Sequence, residues 1–192
     1  ALLTFNNVEA DLLGEEGAGF SGAQTRLGPA RVHHCTRLIG MAEVLMQLMV
    51  ARAKERSTFG RAVIDYDTVQ RSIAQSRIDI ELARIMVQRT AWLIDQQGHR
   101  GSWRDVSISK VAVPNIALKV IDRAIQVHGA AGVTQDTPLA AMWANTRTIR
   151  LADGPDEVHK MTIARRELKK YDPNFHMNPQ PGDHDPQVFQ RP

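Results

Sequence analysis

Two long stretches of the 192-residue chain repeat apolar residues every three or four positions, and that period restricts the fold to packed helices. Leu38, Met41, Ala42, Leu45, Leu48 and Met49 mark the first, which stops near Arg56 with Gly60 beyond. A second helix is predicted over residues 68–97. One of its faces carries Ile73, Ile80, Ala83, Val87, Ala91 and Ile94, and another carries Ile78, Leu82 and Ile85. Two apolar faces predict a helix buried between neighbours. A third helix is predicted over residues 106–128, where Pro114 should kink it or displace its first turns. Residues 129–136 form a glycine-containing turn, and a short helix follows over 139–147. The last helix begins near Pro155, a residue suited to the first helical position, and ends near Lys170.

The flanks read differently. Residues 3–8 are rich in strand formers and alternate loosely, so a short strand is expected, with an acidic, glycine-rich boundary over 11–19. Five of the nine prolines fall between Tyr171 and Pro192, which predicts an extended or disordered tail. The expected fold is all-α. It is an up-and-down helical bundle over residues 15–170, preceded by a β remnant in residues 1–14 and followed by a tail over 171–192.

Composition narrows the function only by exclusion. No apolar run reaches the roughly 18 residues of a membrane-spanning helix. The net charge is +3, basic residues are spread along the chain, and aromatics make up 5%, so nucleic acid is not an expected partner. The opening lacks a basic region followed by an apolar one, and so reads as mid-structure rather than as a signal peptide. The single cysteine, Cys35, cannot form an internal disulfide and suits a reducing compartment. His33, His34 and Cys35 are consecutive on a predicted helix and point about 100° apart, so they are not expected to share a metal ion. Trp92, Trp103 and Trp143 read as core or interface residues.

Three segments can carry chemistry. Arg56 to Gly60 closes the first helix with a guanidinium and a hydroxyl, which suits either a pyrophosphate or the negative end of the helix dipole. Gln126 to Gly132 is a turn that lets backbone approach a ligand closely, or a plain helix cap. Asp153 precedes Gly154 and Pro155, where a capping acid is routine, and Asp156 and Glu157 suit the first turn that follows.

In order and near-spacing, these segments resemble the acyl-CoA dehydrogenase family. Arg56-Ser57-Thr58-Phe59-Gly60 resembles R-x-[TQ]-F-G, and Gln126-Val127-His128-Gly129-Ala130-Ala131-Gly132 is similar to Q-x-x-G-G-x-G. Asp153-Gly154-Pro155-Asp156-Glu157 stands where most of the family has E-G-T-x-x, in a register counted back without a gap from Ile163-Ala164-Arg165. The likeness covers about residues 1–170, and LADGPDEVH looks like the branch of family members ten and eleven.

The resemblance implies an FAD-dependent dehydrogenase that converts a fatty acyl-CoA to the trans-2-enoyl-CoA. It implies FAD contacts from Arg56, Thr58, Phe59, Gln126, Val127, His128, Gly129, Ala130, Pro155 and Glu157, in a site shared between subunits of a dimer or tetramer. Asp153 takes the position of the catalytic base, with Gly154 beside the thioester and Arg31 near the carboxylate. The other position that carries the base in some members is Ala30, which cannot accept a proton. Departures from the pattern are Ala130 for a glycine, Gly28 for an acid, and Asp67 for a glutamine. Implied partners are acyl-CoA, an electron-transfer flavoprotein, and the N-terminal half of the same enzyme, without which this half should be inactive. The implied location is intracellular: cytoplasm in a bacterium, mitochondrion or peroxisome in a eukaryote. An acyl-CoA oxidase or another flavoprotein on the same fold remains an alternative, as does a helical oligomerisation module.

Overall fold

The computed structural model of the chain describes residues 2–175 and is almost entirely helical. Helix α1 spans Gly19–Glu55, α2 Asp67–Gly101, α3 Trp103–His128, α4 Leu139–Ile149 and α5 Asp156–Tyr171. The expected all-α bundle is therefore present. Its two-stranded hairpin, β1 Ser57–Thr58 and β2 Arg61–Ala62, joins α1 to α2. Phe59 (φ 49°) and Gly60 (φ 81°) both take positive φ, as a two-residue hairpin turn of the I′ type requires.

Side-chain pairs fix the helix directions. Gly28 of α1 faces His99 of α2, and Glu43 accepts two 2.8 Å hydrogen bonds from Arg77, so α1 and α2 run antiparallel. Thr90 bonds Ser109 while Arg123 reaches back to Asp79, so α2 and α3 are antiparallel too. The core lies where the three meet. Leu38, Ile39, Ala42, Ile80, Ala83, Val87, Val113, Ala117 and Val120 form one cluster, and Leu45, Met49, Ile121, Ala124 and Leu139 a second. Burying each large aliphatic side chain there is worth about 1.5–3 kcal/mol, which fixes the facing stripes on one another.

Three expectations need correction. Residues 3–8 form no strand: a single extended segment has no neighbour for its backbone groups among the described residues, and Leu3, Phe5 and Val8 stay exposed. Pro114 neither ends α3 nor displaces its start, since the helix already begins at Trp103. The second face of α2 is not covered within the chain, because Ile78, Leu82 and Ile85 are all more than half exposed. Of the two places expected for the tryptophans, core or interface, Trp92 on α2 and Trp143 on α4 are not in the core of this chain. The predicted end of α2 agrees with a break in its backbone, since Gly98 takes φ 70°, ψ 172°. The proline-rich tail lies mostly outside the described residues.

Candidate active site

The loop between α4 and α5 is held by side chains from α1, α3 and α5 itself. Arg31 of α1 donates from Nε to the Asp153 carbonyl at 2.9 Å, and His159 Nε2 lies 3.3 Å from the same oxygen. Lys110 of α3, fully buried, donates from Nζ to the Ile149 carbonyl at 2.5 Å and to that of Gly154 at 3.4 Å. Asp156 is buried at the start of α5, where its Oδ2 accepts from Arg150 Nε (2.7 Å) and Asn115 Nδ2 (3.2 Å). Gly154 is at φ 104°, and a Cβ there would stand 3.0 Å from His159 Nε2. Glycine is needed on both counts.

His159 is buried, with Nδ1 3.2 Å from the Ser107 hydroxyl. Burial, with the charges of Lys110 and Arg31 beside it, lowers its pKa below the ordinary value of 6.5. The unfolded chain therefore takes up this proton more readily than the folded one, so stability is full above about pH 6.5 and falls as pH drops through that value. Thermal melts between pH 7.5 and 5.5 should show the midpoint falling, and His159→Gln should flatten that slope. An unchanged slope would mean that other groups set the acid sensitivity.

Spacing alone suggested a helix cap for Asp153, and the geometry departs from it. The N-cap of α5 is Pro155, with no side-chain cap bond. Asp153 sits at φ 57°, a left-handed conformation that aspartate tolerates better than most residues, and its Oδ2 has no hydrogen-bond partner. His34 Nε2 lies 3.1 Å from that oxygen, a close approach out of line for a hydrogen bond. Arg31 hydrogen-bonds the backbone carbonyl of Asp153 rather than its carboxylate, yet lies near enough for the two charges to interact. Its guanidinium also stacks 5.2 Å from the Trp103 ring centroid. Glu157 is exposed on the outer side of the first turn of α5.

Lys110, Arg150 and His159 were not singled out from sequence, while His34 was weighed only as a metal ligand and Asp156 only as an acid of the first helical turn. A signal existed only for Lys110, which interrupts the apolar stripe Val106, Val113, Ala117 on α3. Cys35 lies against this buried lysine. Its thiol is pushed up to about 12, chiefly by burial, and its Sγ is 3.4 Å from the Ser109 carbonyl.

Two of the other segments meet in a second cleft of about 780 Å³ at the far end of α1 and α3. Arg56 and Thr58 line one wall, and Gln126, Val127, His128, Gly129 and Ala130 line another. Tyr66 holds the hairpin by donating to the Thr58 carbonyl at 2.8 Å, while Arg61 stacks on its ring. Gly129 takes φ 66°, whereas Ala130 does not have positive φ, so alanine fits there without strain. At Gly132 a Cβ would meet the Ile125 carbonyl oxygen at 2.8 Å. Asp67 turns to Arg71, 2.7 Å away, and does not line the cleft. Neither do Pro155, Glu157 or Phe59, the last of which projects 99% exposed from the hairpin.

Arg52 also lines this cleft, and its buried Nε has no hydrogen-bond partner. With Arg56 and the glycine turn, that orphaned donor fits an anionic group such as a pyrophosphate. A third groove, of about 710 Å³, runs between the α2–α3 junction and α5, and Arg104, Arg165, Lys169 and Lys170 make it basic.

Residues 17–168 match the family model for the acyl-CoA dehydrogenase C-terminal domain. Over 176 residues the chain is 49% identical to the probable acyl-CoA dehydrogenase FadE2 of Mycobacterium tuberculosis, an alignment covering 90% of this chain and 43% of that one. It is 50% identical over 167 residues to acyl-CoA dehydrogenase family member 11 of Gallus gallus, covering 85% of this chain and 22% of that protein. The chain thus spans less than half the length of these relatives. Among solved structures, that of PigA with FAD and proline superposes with a TM-score of 0.75 at 26% identity, over 82% of this chain and 41% of that one. With the helical bundle, the glycine turn and the Asp153 loop in place, the chain belongs to the acyl-CoA dehydrogenase family and carries its C-terminal domain.

Proposed function

We propose that this domain contributes the base and half of the cofactor cradle to an FAD-dependent oxidation of a fatty acyl-CoA between Cα and Cβ. The observation that carries this reading is the Asp153 carboxylate. It caps no helix and accepts no hydrogen bond, while its backbone is clamped by Arg31 and His159. A carboxylate held still with a free oxygen can take the α-proton of a thioester. Gly154, without a side chain, leaves room beside the thioester. The basic groove along α5 complements the phosphates of coenzyme A.

Arg52, Arg56, Thr58 and the turn from Gln126 to Ala130 would hold the ADP part of the flavin. Pro155 and Glu157, on the loop away from that cleft, would face flavin only from a different direction. This division suits a site built between two subunits, and the open apolar face of Ile78, Leu82 and Ile85 on α2 suits a homo-oligomer. The flavin, when bound, supplies the acceptor for the hydride leaving Cβ. Residues 2–14 would pack with a β domain of the same enzyme, and an electron-transfer flavoprotein would take the electrons onward. An intracellular site fits the one unpaired, buried cysteine.

Flavin content tests the cradle. Arg56→Ala removes a charge-assisted donor, worth about 1.5–3 kcal/mol. FAD should then bind roughly tenfold or more weakly, since about 1.4 kcal/mol is a factor of ten. Titrating FAD into the stripped protein and its variant measures this, and equal affinity would remove Arg56 from the cradle.

A further inference from the structure

We infer that His34 is a positioning and proton-outlet residue for Asp153, receiving the proton that the carboxylate takes from substrate and passing it to solvent along the groove between α1 and α4. The inference rests on the base reading above.

Its ground is placement. The backbone of Asp153 is fixed at φ 57° by bonds to its own carbonyl and to that of Gly154, so the carboxylate is aimed at α1. There it meets His34, with Nε2 3.1 Å from Oδ2. The other charged groups nearby are engaged elsewhere. Arg31 on α1 and Lys110 on α3 donate to backbone carbonyls, and His159 on α5 faces a carbonyl and the Ser107 hydroxyl. Asp156 is bonded by Arg150 and Asn115. Oδ2 itself is buried, although the side chains of Asp153 and His34 as wholes retain 19% and 23% of their exposure. On its far side His34 lines a groove of about 510 Å³ with Arg37, Met41, Asn145 and Thr148. A buried carboxylate oxygen, a half-buried imidazole and an open groove therefore follow one another.

The proton balance is simple. The Cα–H bond breaks and its proton goes to Asp153; the flavin, when bound, would supply the acceptor for the hydride from Cβ. Once the His34 ring turns into line with Oδ2, it takes the proton from the Asp153 carboxyl, becomes imidazolium, and releases a proton to water in the groove. Asp153 is returned to its anionic form.

The test uses the complete flavin-loaded enzyme with acyl-CoA and an artificial electron acceptor. His34→Gln keeps a polar side chain of similar reach that cannot titrate. It should leave the first flavin reduction within about threefold of wild type, but lower steady-state turnover about tenfold, most of all on the acid side of the pH profile. His34→Ala should show the same split, and added imidazole should restore its turnover. Bound flavin, checked in each variant, controls for folding. Superimposable pH profiles for wild type and His34→Gln, or an Ala variant that imidazole does not rescue, would overturn the role of His34 and leave Asp153 as the base. Normal flavin reduction by Asp153→Asn would instead remove the base reading, and this inference with it.

Discussion

Asparagine in place of Asp153 is expected to slow single-turnover reduction of the bound flavin by acyl-CoA roughly 10²- to 10⁴-fold, the range that general-base catalysis supplies. The substitution keeps the shape of the side chain and leaves the two bonds to the Asp153 carbonyl in place, so flavin content and thermal stability should stay near wild type. Asn at this position also tolerates the left-handed backbone. Glu157→Gln is the control. Glu157 is exposed one turn along, and its removal should leave reduction intact. If Asp153→Asn reduces flavin at the wild-type rate while Glu157→Gln stalls, the base lies one helical turn further along. If both reduce normally, the carboxylate of Asp153 is only a feature of the loop.

The largest effect on stability is expected from Lys110→Met. Methionine fills similar space but leaves the Ile149 and Gly154 carbonyls without their donor, each worth about 1–3 kcal/mol when buried. Part of this is offset, because an ammonium no longer has to be desolvated. Burial lowers the pKa of this lysine despite the nearby Asp153 and Asp156, which shows how strongly the site opposes a buried charge. A net loss of about 2–3 kcal/mol is expected, read as a lower urea midpoint with unchanged slope. The loop carrying Asp153 should loosen as well. A Met variant as stable as wild type would mean that desolvation cancels the two hydrogen bonds.

These effects separate what could be read in the chain from what could not. The stripe of α1 predicted its own burial, because an apolar face with a helical period has one way to leave water. The α2 stripe predicted two buried faces, and the face of Ile73, Ile80, Ala83 and Val87 found cover while that of Ile78, Leu82 and Ile85 did not. Periodicity reports that a face is apolar, not which molecule covers it. The strand expected over residues 3–8 failed for a related reason, since strand-forming residues make a strand only beside a partner. Residues 56–60 read as the end of a helix, whereas the backbone turns into a hairpin with Phe59 at positive φ, a conformation for which a bulky side chain gives no warning.

The sequence by itself determined the family, the helix order, and the positions of Arg56, Gln126 to Gly132 and Asp153, because these rest on residue types at fixed spacings along the chain. Only the tertiary structure decided how Asp153 is used. Asp153 and Asp156 are three residues apart and chemically identical, and each has one oxygen without a hydrogen-bond partner, yet the other oxygen of Asp156 is bonded by Arg150 and Asn115 while the carboxylate of Asp153 meets only His34. Of the groups that make this difference only Arg150 is local, six residues away, and the others lie 41 to 122 residues away in the chain, in Asn115, Lys110 and Arg31. Electrostatic surroundings are set by distance through space, and no local pattern in a sequence encodes which distant cation will arrive at a given carbonyl.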